Sequence, residues 1–157
     1  MLTLQIVKEE GNMLDIIRQL FSEYESELKE DLCFQSFTEE LNNPLKKYAE
    51  PGLIILAYWN NEPAACIALL NLGDKVCEMK RLYVRPQYRH FGIGRQLVER
   101  VLSEGLEKGF SSMKLDTLQR LQPAIQLYRQ YGFLETKPYY QNPLPGAVYM
   151  KRMLGEL

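Results

Sequence analysis

Residues 78–102 constrain this chain more than any other stretch, because a strand, a glycine turn and a helix follow one another there without a break. Met79, Leu82 and Val84 alternate among basic residues as in a strand. Pro86 opens a turn, Arg89-x-x-Gly92-x-Gly94 follows, and Ile93, Leu97, Val98, Val101 and Leu102 then recur at helical spacing. That order builds an anion site. Glycines let the backbone approach a ligand, and the free N–H groups of a helix N-terminus point at negative charge. Arg85, Arg89 and Arg95 crowd the same turn and add cationic donors suited to phosphate. Two nucleotide loops are poor fits: a Walker-type loop needs Gly-Lys-Ser/Thr, and Gly94 is followed by Arg95-Gln96. A dinucleotide fingerprint needs a third small residue where Leu97 stands.

Bulk properties narrow the ligand further. The 157 residues suit a single domain, 1–157, with a sizeable core. A formal net charge of -1 gives no global positive field for nucleic acid or an anionic membrane, so the basic cluster near Lys80–Arg95 favours a small polyanion over a polymer. Cys33, Cys66 and Cys77 are odd in number and lack C-x-x-C spacing, which points to reduced thiols rather than disulfides or zinc. No metal site is expected. No apolar run approaches the ~20 residues of a membrane span, and the N-terminus lacks signal-peptide character, so a cytoplasmic location is expected.

Along the chain, Leu2, Leu4 and Ile6 alternate as a first strand, and Met13, Ile16, Ile17, Leu20, Phe21 and Tyr24 share a helical face. Ser36-Phe37-Thr38-Glu39 has capping-box form and predicts a second helix to about Tyr48, stopped by Pro51-Gly52. Residues 53–59 and 64–70 read as strands joined by the hairpin turn Asn60-Asn61-Glu62-Pro63; Leu72-Gly73-Asp74-Lys75 turns into the strand 76–84. Residues 113–117 give a fifth strand, 123–131 a short helix begun by proline and capped by Gly132, and 133–136 with 147–154 a terminal strand pair. The order β-α-α-β-β-β-α-β-α-β-β predicts a mixed α/β fold, a mostly antiparallel mixed sheet with helices on both faces.

The loop, together with Leu127-Tyr128-Arg129-Gln130-Tyr131-Gly132-Phe133 downstream, resembles the GNAT superfamily of acyl-CoA-dependent N-acyltransferases. The matched block covers roughly Val76–Phe133, and the element order is that of the GNAT fold. Two departures stand out. Leu121 occupies the place three before Ala124 where many members carry Asn, and His90 stands where Gly is frequent.

The resemblance implies acetyl-CoA as co-substrate and direct transfer in a ternary complex to a primary amine of a small molecule or protein. It puts the pantetheine arm along Leu82, Tyr83 and Val84, and the pyrophosphate on Arg89, His90, Phe91, Gly92, Ile93, Gly94 and Arg95. It makes Glu78 the candidate base, directly or through water, and Tyr128 the candidate acid beside the sulfur. Strand period two places Glu78, Lys80, Leu82 and Val84 on one side. His90, the sole histidine, is expected to face solvent or phosphate rather than to catalyse, and no Cys–His nucleophile is indicated. Acceptors would enter between Tyr24–Phe37 and Tyr139–Pro145. The acidic run Glu23, Glu25, Glu27 and Glu30 reads either as an attractor for a cationic amine or as a solvated helix face, and Tyr139–Pro145 as a lid or a plain connection. The alternative activity is a non-catalytic acyl-CoA sensor of the same fold. A homodimer paired through the last strand is compatible with the fold.

Overall fold

Two consecutive apolar runs near the middle of the chain can be satisfied only if both faces of their strands are covered. The computed structural model, which describes residues 1–30, 32 and 36–155, meets that demand with helices on either side of one sheet. The elements are β1 (Leu2–Ile6), α1 (Asn12–Leu28), α2 (Phe37–Asn42), α3 (Pro44–Lys47), β2 (Leu53–Trp59), β3 (Glu62–Gly73), β4 (Val76–Val84), α4 (Ile93–Glu107), β5 (Ser112–Leu118), α5 (Gln122–Gln130), β6 (Leu134–Glu135) and β7 (Ala147–Met153). A single 3-10 turn, Pro86–Tyr88, separates β4 from α4. The sheet order is β1-β2-β3-β4-β5-β7-β6, antiparallel throughout except between β4 and β5. The fold is therefore the expected mixed α/β sandwich.

The core has two layers. Ile55, Ala57, Ile67 and Leu69 face Leu97, Val98 and Val101 of α4, and Phe133 closes that layer. Ile54, Leu56, Cys66 and Ala68 face Leu14, Ile17, Leu20 and Phe21 of α1. Cys66 and Cys77 are buried free thiols, and burial pushes Cys77 up to about 12. Cys33 lies outside the described residues.

The second helix departs from expectation. It breaks at Asn43, whose ψ of 73° follows from Pro44, because proline drives the preceding residue out of the helical region. The capping box does not form either. Ser36 sits at φ 56°, and its side chain makes no cap bond, since an N-cap needs extended backbone.

The larger correction lies in β4. Arg81 adopts φ 62°, and the pairing with β3 slips there, with Cys66 opposite Tyr83 but Ala68 opposite Lys80. This is a β-bulge, and it inverts the side-chain alternation beyond it. Cys77 and Met79 face the α4 layer, as do Leu82 and Val84, while Arg81 and Tyr83 turn toward α1. Glu78 and Lys80 therefore do not share a face with Leu82 and Val84. A buried ion pair holds the bulge. Arg81 Nε and Nη2 each donate to the Glu40 carboxylate at 2.8 Å, Lys47 adds 2.9 Å and the Tyr48 hydroxyl 3.0 Å. The guanidinium also lies 5.2 Å from the Phe37 ring centroid and 5.6 Å from that of Tyr24.

Candidate active site

The parallel pair β4–β5 is short, running only from Val76 opposite Ser112 to Glu78 opposite Lys114. Beyond Glu78 the two strands splay and share no further pairs, while β5 stays paired with β7 along its whole length. A narrow cleft of about 90 Å³ opens between them, lined by Arg81, Leu82, Asp116, Ala124 and Tyr128 with Tyr24. On the β4 wall only part of the backbone edge is free, because the Val84 carbonyl accepts from Arg89 Nε at 2.8 Å. Arg85 N–H donates to Ala64 O at 2.9 Å, so Arg85 and, two residues back, Tyr83 point their main chain at β3. Alternation then turns the N–H and C=O of Leu82 and Val84 toward the cleft. Of the three strand residues expected to meet the cofactor, Tyr83 thus has its main chain engaged elsewhere. Its hydroxyl goes to Glu23 at 3.3 Å, and burial with the Glu23 charge pushes it up to about 12.

The glycine loop sits at the open end of β4. Among the described residues, the N–H groups of His90, Phe91, Gly92, Ile93, Gly94 and Arg95 make no hydrogen bond within the protein, and the first helical bond off the loop runs from Gln96 to Gly92 O. Arg89 is the exception, its N–H returning to Pro86 O at 3.3 Å. Gly92 at φ 75° caps α4 in a conformation that suits glycine. His90 also lies at positive φ, 89°, so the residue that stands where glycine is frequent carries backbone strain. Phe91 is half exposed and stacks on Trp59, centroids 4.6 Å apart, which ties the loop to β2.

The three arginines behave differently from a bare phosphate clamp. Arg85 is bidentate to Glu23 at 2.9 and 3.0 Å and ties β4 to α1. Arg89 donates through Nε to Val84 O at 2.8 Å and through Nη2 to Glu27. Arg95 reaches Gln130 Oε1 at 2.6 Å and stands exposed beside the loop. The acidic run is likewise spent internally: Glu25 accepts from Leu32 N–H at 3.0 Å and Glu30 meets Arg120 at 3.7 Å.

The two proposed catalytic side chains line different spaces. Tyr128 is buried in the narrow cleft, edge-on to Phe133, and burial drives its hydroxyl well above the usual tyrosine range. Among the described residues the hydroxyl has no protein partner, yet it is not sealed in, so it opens on the cleft. Glu78 is 3% exposed and lines a second cavity of about 500 Å³ with Lys47, Lys80, Lys114, Tyr139 and Tyr140. Its Oε2 accepts from the Tyr139 hydroxyl and its Oε1 lies 3.6 Å from Lys80 Nζ. Lys80 lines both spaces; burial lowers its pKa, and the Glu78 charge opposes that.

Sequence reasoning missed Asp116 and the work of residues 139–142. The Tyr140 hydroxyl and Asn142 Nδ2 both donate to Asp116 Oδ2, the latter at 2.8 Å, while Tyr149 OH donates to Tyr140 O and accepts from Asn142 N–H. This strap crosses the mouth between the two spaces. The available signal was the lone carboxylate of the strand 113–117.

No group of three or more His, Cys, Asp or Glu able to hold a metal occurs among the described residues, and no helix there is long and apolar enough to cross a membrane.

Comparison with known proteins gives the same frame. The Acetyltransferase (GNAT) family profile matches residues 14–133. An uncharacterized N-acetyltransferase of Schizosaccharomyces pombe is 44% identical over 141 residues, covering 88% of this chain and 86% of its own length. Among solved structures, an acetyltransferase of GNAT family from Staphylococcus aureus superposes with a TM-score of 0.79 at 22% identity, covering 97% of this chain and 99% of that one. A GNAT family acetyltransferase from Elizabethkingia anophelis, solved with acetyl-CoA bound, gives 0.68 at 20% identity, covering 98% of each chain. A strand splayed from its parallel neighbour, a loop of unspent amides at its end and these matches together make this chain an acetyltransferase of the GNAT family.

Proposed function

We propose that the chain transfers the acetyl group of acetyl-CoA to a primary amine of a small molecule or protein, directly and within a ternary complex. The observation that carries this reading is the run of unspent main-chain amides at 90–95 beside the outward-facing main chain of Leu82 and Val84. A diphosphate fits the first, since the helix N-terminus adds its positive end and Arg95 its charge. A pantetheine amide chain fits the second as an added strand. Bound there, the co-substrate supplies a thioester-activated acyl group.

The protein's part is to orient and to move protons. A main-chain N–H facing the cleft, that of Leu82 or Val84, stabilises negative charge developing on the thioester oxygen. Glu78 takes the proton from the attacking amine, directly or through water, once Tyr139 or Lys80 yields its place on the carboxylate. The new bond is amine nitrogen to acyl carbon, the bond broken is carbon to sulfur, and Tyr128 returns a proton to the departing sulfur. Burial keeps that tyrosine protonated until then.

The test is thiol release from acetyl-CoA with an amine panel, comparing wild type with Glu78→Gln and Tyr128→Phe. Glu78→Gln is expected to lower kcat/KM by about 10²–10⁴, and undiminished turnover removes Glu78 as base. Undiminished turnover in Tyr128→Phe removes it as acid. Acetyl-CoA binding with no thiol release from any amine favours the acyl-CoA sensor instead.

A further inference from the structure

The electrostatics of the acceptor side run opposite to a site for polycations. Every glutamate of the acidic run on and after α1 has an internal partner, a cation for Glu23, Glu27 and Glu30 and a backbone N–H for Glu25, so Glu25 is the one member whose charge meets no cation. The cavity at Glu78 instead gathers lysines from three elements: Lys47 from α3, Lys80 from β4 and Lys114 from β5. Glu78 is already matched by Lys80 at 3.6 Å. Glu40, behind Lys47, is shared between Lys47 and Arg81, so one carboxylate there meets two cations. Lys114 forms no ion pair among the described residues; its ammonium stands 5.0 Å over the face of Tyr139, the ring whose hydroxyl holds Glu78. Only Asp74, on the exposed β3–β4 turn, adds further negative charge to the lining.

Resting on the transferase reading, we infer that the acceptor is an amino-carboxylate, its amine at Glu78 and its carboxylate held by Lys114 with Lys47 at the cavity mouth. Lys114 is the cross-strand partner of Glu78 in the β4–β5 register, so the two side chains stand one strand spacing apart on one face. That spacing suits an amine and a carboxylate within a few bonds of each other. The same lysines repel diamines, polyamines and lysine-rich peptide tails, whose second positive charge would lie among them. A cavity of about 500 Å³ admits a molecule of amino-acid size. Tyr139 and Tyr140 supply flat apolar walls for the carbon skeleton.

The experiment uses matched pairs that differ only by the carboxylate: glycine and methylamine, L-phenylalanine and phenethylamine, L-lysine and cadaverine. Thiol release from acetyl-CoA is measured with each, and calorimetric titration of each into the CoA-saturated protein follows binding without turnover. The carboxylate-bearing member of at least one pair is expected to be favoured about tenfold or more, and Lys114→Gln to erase most of that preference. A thermal melt of Lys114→Gln with CoA verifies that the partly buried substitution leaves the fold intact. Carboxylate-dependent binding without turnover supports the inference. Equal preference, preference for the bare amines, an undiminished preference in Lys114→Gln, or binding of neither member of any pair overturns it. The transferase reading stands in those cases if thiol is released from any amine; failure to bind acetyl-CoA at all overturns both.

Discussion

The clamp on the β4 bulge can be tested through its titration. Glu40 is 1% exposed and receives two hydrogen bonds from Arg81, with Lys47 and Tyr48 completing its shell. Burial alone would raise its pKa, but the Arg81 hydrogen bonds and charge, helped by Lys47, hold it at about 2 against an ordinary 4.5. A carboxyl depressed on folding contributes stability that is complete above its unfolded pKa and is lost as pH falls toward the folded one. The shift corresponds to about 3 kcal/mol near pH 7, falling to about 1 kcal/mol near pH 3. Glu40→Gln removes the titrating group and leaves Arg81 buried without its counter-charge, a change that typically costs about 3–5 kcal/mol. Urea unfolding of wild type and Glu40→Gln at both pH values gives the two differences, and carboxyls common to both proteins cancel. The gap is expected to shrink by about 2 kcal/mol on acidification. A gap independent of pH, or Glu40→Gln as stable as wild type near pH 7, refutes the clamp.

His90→Gly removes a side chain from φ 89° and is expected to raise stability by about 1 kcal/mol, read as a higher unfolding midpoint; a lower midpoint contradicts the strain at that position. Gly92→Val places a β-branched residue at φ 75° and is expected to lower stability by about 1–2 kcal/mol while weakening acetyl-CoA binding; calorimetry showing unchanged affinity separates the loop from the cofactor. Cys66 and Cys77, buried with raised pKa values, are expected to resist a thiol reagent in the native state and to react on unfolding; rapid native labelling, mapped by mass spectrometry, contradicts their burial.

The strand, loop and helix at 78–102 were legible because each depends on local pattern: alternation, two glycines and a helical stripe, all within one turn of the chain. The hairpin of β2 and β3 was legible for the same reason, as two apolar runs parted by a turn. The bulge was not. Nothing in Lys80-Arg81-Leu82 announces a left-handed arginine, and its stability comes from Glu40, 41 residues earlier. One residue of slip is enough to part Glu78 from the face of Leu82. The fate of the cationic turn was hidden in the same way, since Arg85 and Arg89 find Glu23 and Glu27 62 residues away. The strap at 139–142 showed its tyrosines and prolines but not that Glu78 and Asp116 would anchor it. Its bonds join side chains from elements that meet only when the sheet closes.

The proposed function requires that the amides of residues 90–95 cradle a diphosphate while Leu82 and Val84 receive the pantetheine arm. Amide chemical shifts recorded during a titration with CoA test it residue by residue. The largest changes are expected at the N–H groups of Phe91 to Arg95 and of Leu82 and Val84, with Tyr83, whose N–H faces β3, moving least among its neighbours. Saturable binding that leaves the loop amides and the β4 edge unmoved contradicts that placement of the cofactor.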